Sequence, residues 1–152
     1  MKIHVLIPAR AGSKGIKKKN IQKINNKSLV EISIDFALKL KLNGKIFVSS
    51  DMNEVENICK KYNKKIIFDR RPKYLSNDKS PTSDVLCDLY KKKDELDKKD
   101  ILLLLEPTSP LREVKTIYLA LKFFKKEKLK SMVSVIKQNN LIISKSNNYL
   151  AN

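Results

Sequence analysis

Short apolar runs alternate along the chain with longer segments whose apolar residues recur every three or four positions. The runs cover residues 3–7, 46–48, 66–68, 101–105 and 132–136, with a shorter one at 141–143. Short apolar runs predict buried strands, whereas the three-to-four spacing predicts amphipathic helices. Strands that alternate with helices are typical of a parallel sheet joined by crossover helices. The pattern therefore predicts an α/β protein.

Four helices are predicted between these strands. Ser28 and Glu31 form the pattern of a capping box at the start of the first helix, and Gly44 is the predicted stop. Ser50 or Asp51 is expected to cap the second helix, and the third and fourth are expected over 83–98 and 111–128. Their predicted apolar faces are Leu29, Ile32, Phe36 and Leu40; Val55, Ile58, Cys59 and Tyr62; Val85, Leu86, Leu89, Tyr90 and Leu96; and Val114, Ile117, Leu121 and Phe124.

The run at 101–105 contains no polar residue, which predicts a central strand buried on both faces. In open parallel sheets, ligands bind beyond the carboxyl ends of the strands. The polar segments 8–20 and 106–112 each follow an apolar run. We therefore expect both segments to lie at the same edge of the sheet, with Ser109 as the cap of the helix that follows.

The segment after the first strand replaces apolar residues with small and cationic ones. It holds two of the three glycines of the chain, Gly12 and Gly15, and the hydroxyl of Ser13. Glycines allow positive φ and a close approach of the backbone to a ligand. The flanking cations are Arg10, Lys14 and Lys19. Exposed N–H groups beside cations predict a polyphosphate site, although the spacing matches neither a Walker A loop nor a dinucleotide fingerprint. A lysine-rich surface loop is the alternative.

Composition narrows the classes of function. Lysine and arginine number 33 against 16 acidic residues, a formal charge of +17 that would attract an anionic substrate. The lysines are spread over the chain, and aromatic residues make up 7%. No basic helix carries interleaved aromatic residues that could stack on bases. Nucleic-acid binding is therefore less favoured than the binding of a small anionic substrate. Residues 1–152 are predicted to form one domain.

No secretory signal or membrane-spanning run is visible, and the cytoplasm is the predicted location. Cys59 and Cys87 both fall on predicted apolar helix faces, which indicates reduced core thiols. His4, the only histidine, lies inside a predicted strand and is expected to be packed rather than catalytic.

Residues 8–15, Pro-Ala-Arg-Ala-Gly-Ser-Lys-Gly, followed by Lys19 and Asn20, resemble the signature of the acylneuraminate cytidylyltransferases, the CMP-sialic acid synthetases. Two later segments resemble the same family in the expected order: the loop 69–82 with its Arg71-Pro72 pair, and Glu-Pro-Thr-Ser-Pro-Leu-Arg at 106–112. The resemblance implies a three-layer, Rossmann-like parallel-sheet nucleotidyltransferase fold of the nucleotide-diphospho-sugar transferase type.

The resemblance also implies roles for individual residues. It assigns nucleotide binding to Pro8, Ala9, Arg10, Ser13, Lys14, Lys19 and Asn20, with Arg10, Lys14 and Lys19 as the catalytic cations. It assigns the cytosine and ribose to Arg71, Ser80 and Thr82. It assigns the sugar to Glu106, Thr108 and Ser109. Many members have glutamine where this chain has Glu106. The glutamate adds a charge, which leaves open whether the sugar is sialic acid itself or another nonulosonic acid.

The implied reaction transfers CMP from CTP to the anomeric hydroxyl of a nonulosonic acid, with Mg²⁺ as the expected cofactor. Members continue beyond the length of this chain, and their continuation supplies a dimerisation arm and metal-binding aspartates. A C-terminally truncated nucleotide-binding domain is therefore expected, with the homodimer of the family in doubt. The alternative function is a nucleotide-binding module without turnover.

Overall fold

The chain divides into two units, Met1–Thr116 and Ile117–Asn152. The computed structural model describes residues 1–12, 15–62, 64–77, 79–94, 96–135, 142–143 and 149–150. The strands are β1 (Ile3–Pro8), β2 (Lys23–Ile24), β3 (Lys27–Ser28), β4 (Ile46–Ser50), β5 (Ile66–Arg70), β6 (Ile101–Leu104), β7 (Ile142–Ile143) and β8 (Tyr149–Leu150). The helices are α1 (Leu29–Lys39), α2 (Asn53–Cys59), α3 (Thr82–Lys92) and α4 (Val114–Lys126). The prediction of a single domain over 1–152 stays a prediction.

Four of the predicted strands form one parallel sheet in the first unit. The strand order is β5-β4-β1-β6, and every pair in it is parallel. In the register of the sheet, Val5 of β1 pairs with Ile46 on one side and Leu103 on the other. Parallel neighbours need crossover connections, and α1, α2 and α3 lie in those connections. The predicted α/β class is confirmed.

Both faces of this sheet are covered. Successive side chains of a strand point to opposite faces. Leu6 and Phe47 lie on one face and pack with Leu89 of α3 in a fully buried cluster. Val5 and Val48 face the opposite way and are equally buried. Helices on both faces of a parallel sheet give the three layers that were predicted.

The prediction of a central strand at 101–105 was wrong for the described sheet. Among the described residues β6 pairs with β1 alone, so it lies at the edge, and β1 and β4 are central. An apolar run in the sequence indicates that both faces of a strand are covered, but it does not indicate how many strands lie beside it. The strand predicted at 132–136 is also wrong for its described part, because 131–135 have no regular structure. Ile136 lies outside the described residues.

The start of α1 is as predicted, but its end is not. Ser28 Oγ accepts a hydrogen bond from the Glu31 N–H, and Glu31 Oε2 accepts one from the Ser28 N–H at 2.8 Å. Although burial acts in the opposite direction, the Ser28 hydrogen bonds keep the pKa of Glu31 below its usual value. At the other end, Lys41 rather than Gly44 adopts the left-handed conformation, with a φ of 45°. Gly44 is needed for packing, because a Cβ there would lie 2.3 Å from the Ile3 carbonyl oxygen.

Three other local predictions about the helices were wrong. Neither Ser50 nor Asp51 caps α2; the N-cap is Met52, which makes no side-chain capping bond. Ser109 does not cap α4, which begins at Val114. Cys87 is exposed, because the buried face of α3 follows Val85 and Leu89 and leaves Cys87 on another side.

Cys59, Tyr90 and Leu121 were also predicted to be buried. Cys59 is buried as predicted, and burial raises the pKa of its thiol to about 12. Tyr90 was predicted to point inward from α3, but it is 39% exposed. On α4, Leu121 is buried as predicted, whereas Tyr118 and Phe123 are exposed.

His4 is packed, as predicted, and it also connects three segments of the first unit. Its ring is 1% exposed, and Nδ1 accepts a hydrogen bond from the Lys45 N–H at 3.0 Å. Nδ1 is therefore the unprotonated nitrogen, and Nε2–H donates to Asp100 Oδ2 at 3.2 Å. Asp100 Oδ1 in turn accepts from the Lys2 N–H. The start of β1 is thereby tied to the turns that precede β4 and β6.

The second unit contains most of α4 and a short antiparallel pair. Ile142 pairs with Leu150 and Ile143 with Tyr149, so part of the strand predicted at 141–143 is present. Leu141 lies outside the described residues. In the part of the chain that the structure describes, none of the helices has the length and apolar character that would let it cross a lipid bilayer.

Gly44→Ala is expected to lower the free energy of unfolding by roughly 1–3 kcal/mol, the usual range for overpacking. The new methyl group would collide with backbone atoms of β1, which cannot move aside without disturbing the sheet. Chemical denaturation measures the change. Gly15→Ala is the matched control, because no atom lies within 4 Å of a Cβ at that position. Equal stability of the two variants would contradict the close approach.

Asp100→Asn is expected to lower stability at pH 7 and to flatten the loss of stability in acid. The hydrogen bond from the Lys2 N–H and the contact with His4 keep the pKa of Asp100 below its ordinary value. A carboxylate with a lowered pKa stabilises the fold above an ordinary pKa of about 4, and this contribution disappears as the pH falls through the lowered value. Chemical denaturation at several pH values between 7 and 2 measures the free energy of unfolding of both proteins. If the interaction contributed nothing, this free energy would fall with pH in the same way in both.

Candidate functional site

A cleft of about 490 Å³ lies at the carboxyl ends of the strands in the first unit. Its walls come from the segment after β1, the loop between β5 and α3, the start of α3 and the turn after β6. The lining residues are Pro8, Arg10, Gly15, Lys19, Asn20, Arg71, Ser80, Thr82, Val85, Glu106, Pro107 and Thr108. The cleft thus joins segments that are almost one hundred residues apart in the sequence.

The segment after β1 is held by the end of β4. The Ala9 N–H donates to the Ser49 carbonyl at 2.8 Å, and Ser50 Oγ donates to the Ala9 carbonyl at 2.6 Å. The Ala11 N–H then donates to Asp51 Oδ1 at 2.8 Å. Consecutive residues of β4 therefore determine the path of the chain as it leaves the sheet. Ala9 itself is fully buried and supplies only backbone to this arrangement.

Asn20 closes the same segment on itself. Its side chain is 5% exposed, and Nδ2 donates to the Arg10 carbonyl at 2.9 Å. The turn into the short 3₁₀ helix Lys19–Ile21 begins at Lys18, whose φ is 50°. This turn brings Lys19 to the cleft beside Arg10, while Lys18 forms an exposed ion pair with Glu54. Two cations of the predicted anion site therefore line one wall.

The glycines of this segment do not have the positive φ that was expected of them. None of the three glycines of the chain, all of them described, has a positive φ. A Cβ at Gly12 would lie 3.3 Å from Arg10 Nη1 and 3.7 Å from the Ser76 carbonyl oxygen. Gly12 therefore allows the segment after β1 to pack against the loop between β5 and α3. Gly15 lines the cleft with open space around it.

Arg71 is a buried cation in the wall of the cleft. It is 5% exposed, and its Nη2 and Nε donate to the carbonyl and the hydroxyl of Ser49 at 3.0 and 3.3 Å. Burial lowers the pKa of the guanidinium, while the charges of Asp51 and Asp69 act in the opposite direction and Arg10 adds to the lowering. An arginine with these contacts presents oriented donors with little freedom to move.

The loop between β5 and α3 is stabilised by its own side chains. Ser80 Oγ and Asn77 Nδ2 donate to the Tyr74 carbonyl at 2.9 and 2.7 Å. Ser76 Oγ donates to the Pro72 carbonyl at 3.0 Å. This internal bonding holds Ser80 at the cleft, next to Thr82 at the first position of α3.

The turn after β6 supplies Glu106, Pro107 and Thr108 to the lining of the cleft. The Ser109 N–H donates to the Glu106 carbonyl at 3.1 Å, and Arg112 Nη2 donates to the same carbonyl. The Arg112 guanidinium also lies 5.8 Å from the ring centre of Phe36, and burial lowers its pKa. Arg112 thus fixes the turn to α1 and leaves the Glu106 carboxylate exposed at the cleft.

Most of the predicted site residues meet in this cleft. Nine of them line it, namely Pro8, Arg10, Lys19, Asn20, Arg71, Ser80, Thr82, Glu106 and Thr108. Ala9 lies beneath it, Ser109 is exposed in the turn after β6, and Ser13 and Lys14 lie outside the described residues. The chemical roles of all these residues stay predictions.

Two carboxylates near the cleft, Asp51 and Asp69, were given no role in ligand binding from the sequence. Asp51 was assigned to a helix cap, and Asp69 received no role. The signal for both is their position at the carboxyl ends of parallel strands, where ligand sites form. Only their burial and their contacts distinguish them from the many polar residues that follow strands.

The expected divalent metal ion would need carboxylate oxygens as ligands. In the described ranges, no group of three or more His, Cys, Asp or Glu residues is arranged to hold a metal ion. Glu106 is the acidic residue that lines the cleft, and Asp51 Oδ1 is already engaged with the Ala11 N–H. These donors fit an ion held mainly by the oxygens of a bound phosphate ligand, with several waters retained.

Sequence comparisons agree with the predicted family. The chain is 35% identical over 136 residues to CMP-N,N'-diacetyllegionaminic acid synthase of Legionella pneumophila, covering 89% of this chain and 58% of that protein. It is 31% identical over 142 residues to N-acylneuraminate cytidylyltransferase of Escherichia coli O18:K1:H7, covering 91% of this chain and 32% of that protein. The chain therefore spans a third to somewhat more than half of these relatives.

Comparison of folds gives the same class. The structure of CMP:2-keto-3-deoxy-manno-octonic acid synthetase complexed with CTP matches with a TM-score of 0.67 at 23% identity. The match covers 84% of this chain and 49% of that one. This likeness confirms the nucleotidyltransferase fold.

The family model described as cytidylyltransferase matches residues 4–149, almost the whole chain. That range includes all three segments whose residues line the cleft. The chain belongs to the cytidylyltransferase family.

Proposed function

We propose that the cleft binds CTP and that the chain serves cytidylyl transfer to a nonulosonic acid. The observation that carries the proposal is the convergence of three separate motif segments on one cleft of about 490 Å³. Membership of the cytidylyltransferase family and the names of the relatives supply the substrate classes. The 35% identity to the Legionella protein makes a legionaminic acid a natural first candidate for the sugar.

In this proposal the segment after β1 holds the triphosphate. Arg10 and Lys19 would contact phosphate oxygens, together with Ser13 and Lys14 and the backbone N–H groups between them. Charge-assisted hydrogen bonds to phosphate are among the strongest that proteins form. The bonds of Ala11 to Asp51 and of Asn20 to Arg10 hold the two ends of this segment in place before the ligand arrives. Such preorganisation lowers the cost of ordering the loop around the ligand.

The base and ribose would lie against the opposite side of the cleft. Arg71 would donate to a carbonyl of cytosine, and Ser80 and Thr82 would contact the base and the ribose. The apolar side chain of Val85 and the ring of Pro107 also line the cleft. A pocket with an apolar wall and a few fixed polar groups suits a nucleoside.

The reaction needs positioning and charge neutralisation more than covalent chemistry by the protein. The anomeric hydroxyl oxygen of the sugar acid attacks the α-phosphorus of CTP, and a new P–O bond forms. The bond between the α-phosphorus and the bridging oxygen breaks, and pyrophosphate leaves. The hydroxyl proton passes to solvent. Arg10, Lys14 and Lys19 stabilise the negative charge that develops on the phosphates, while Glu106, Thr108 and Ser109 orient the sugar.

Magnesium is part of the proposal as an ion that accompanies CTP. It would neutralise charge on the triphosphate, and Glu106 would supply one oxygen ligand. A homodimer and a cytoplasmic location are further parts of the proposal. The unpaired thiols of Cys59 and Cys87 suit a reducing compartment.

A nucleotide-binding module without turnover is the second candidate. It is favoured by the lack of any group of three metal-ligating residues within the described part of the chain. Incubation with CTP, Mg²⁺ and a panel of nonulosonic acids separates the two candidates. Release of pyrophosphate supports the transferase, whereas binding of CTP without release supports the module.

CTP is expected to bind more tightly than ATP, GTP or UTP. Arg71 and the hydroxyls of Ser80 and Thr82 form a small site beside the phosphate-binding cations, which a purine would exceed. A hydroxyl oxygen can also accept a hydrogen bond from the 4-amino group of cytosine, where uracil has a carbonyl group. Calorimetric titration of the four nucleotides at one salt concentration measures the preference. Four equal affinities would mean that the cleft binds phosphate without reading the base.

Lys19→Ala is expected to weaken CTP binding about tenfold, because one charge-assisted hydrogen bond contributes roughly 1.5 kcal/mol. CMP, which lacks the outer phosphates, should lose less affinity than CTP. Lys17→Ala removes an exposed lysine from the same segment and is the control for net charge. Similar losses in the two variants would show that the lysines act through the overall field alone.

A further inference from the structure

Asp69 is a buried carboxylate beneath the cleft whose position is unfavourable for stability. It is 3% exposed, and its Oδ2 has no hydrogen-bond partner among the described residues. A buried charged oxygen without a hydrogen-bond partner loses its hydration and gains no hydrogen bond in exchange. Groups of this kind are rare in folded proteins and call for an explanation.

The strand geometry places Asp69 beside Arg71. On β5, alternation puts Asp69 on the same face as Ile67, which packs against the buried cluster of Leu6, Phe47 and Leu89. Asp69 is the register partner of Ser49 on β4. The Arg71 guanidinium donates to both the carbonyl and the hydroxyl of that same Ser49. The guanidinium therefore lies over the residue that is directly opposite Asp69.

The charges around Arg71 give the nearby Asp69 carboxylate an electrostatic role. Arg71 is 5% exposed, and burial alone disfavours its charged form. Asp51 and Asp69 act against this effect, while Arg10 adds to it. Asp51 is half-buried and is already used by the Ala11 N–H. Asp69 is the more deeply buried of the two carboxylates and carries the unsatisfied oxygen.

We propose that Asp69 is a positioning residue that acts through Arg71. Its carboxylate attracts the guanidinium toward β5 and adds to the two Ser49 hydrogen bonds that hold Arg71 along the wall of the cleft, so that Arg71 meets the base in a single orientation. The fold tolerates an unfavourable buried charge at this point because the orientation of Arg71 depends on it. The inference rests on the proposed function, in which Arg71 reads cytosine.

This role predicts separate effects on stability and on binding. Asp69→Asn keeps the shape of the side chain and removes its charge. The thermal midpoint should change little, because the loss of a buried charge without a hydrogen bond offsets the loss of its attraction for the Arg71 guanidinium. Affinity for CTP should fall about fivefold to tenfold, as expected when one of two interacting groups is removed. Affinity for inorganic tripolyphosphate, which lacks a base, should stay within about twofold. A purely structural role would instead lower the thermal midpoint and weaken both ligands.

The experiment uses the full 152-residue chain, with calorimetric titration of CTP, UTP and tripolyphosphate and thermal unfolding of each variant. Asp94→Asn removes an exposed carboxylate and is the matched control for the change in charge. A double-mutant cycle with Arg71→Gln tests the coupling. If Asp69 acts through Arg71, then Asp69→Asn causes no further loss of CTP affinity in the Arg71→Gln background.

The outcomes separate the two proposals. If the wild-type chain binds CTP no better than UTP, the proposed function fails and takes this inference with it. If the wild-type chain prefers CTP and Asp69→Asn binds it equally well, the inference alone is overturned. A lower thermal midpoint in Asp69→Asn, or an additive loss in the double variant, would also overturn it.

Discussion

The carboxyl end of β4 is the part of the structure on which the site depends. Ser49 accepts hydrogen bonds from the Ala9 N–H and from the Arg71 guanidinium. Ser50 binds the Ala9 carbonyl with its hydroxyl, and its own carbonyl accepts the Arg71 N–H. Asp51 holds the Ala11 N–H. Three consecutive residues thus position both ligand-facing segments, the one after β1 and the one after β5.

This arrangement follows from the parallel sheet. In the sheet formed by the described residues β4 lies between β1 and β5, so its end is adjacent to the segments that leave both neighbours. Main-chain N–H and carbonyl groups beyond the end of a strand have no hydrogen-bond partners in the neighbouring strand, so they need other partners. Polar side chains at the end of the central strand supply those partners. The same bonds that satisfy the departing backbone therefore define the walls of the cleft.

Stability and function have different demands at this edge of the sheet. The first unit is stabilised by apolar packing such as that of Leu6, Phe47 and Leu89, and by fully satisfied networks such as that of His4. Near the cleft the buried side chains include charged ones, since Arg71 and Asp69 are both nearly inaccessible to solvent. Buried charges are costly, and proteins retain them where orientation matters more than stability. The location of these charges agrees with a site that recognises a ligand by fixed donors.

The sequence by itself determined the α/β class, the strands β1, β4, β5 and β6, the capping box of α1 and the shared edge of segments 8–20 and 106–112. These features depend on local periodicity, on a pair of residues three positions apart, and on the rule that parallel strands end at the same edge. The loop 69–82 was assigned to the site by its resemblance to the cytidylyltransferases. Tertiary structure alone decided that β6 lies at the edge, that Cys87 is exposed and that Gly44 serves packing against Ile3. It also decided that Asp51 and Asp69 belong to the surroundings of Arg71. Those properties depend on which distant residues become neighbours, and no local pattern of hydrophobicity or charge contains that information.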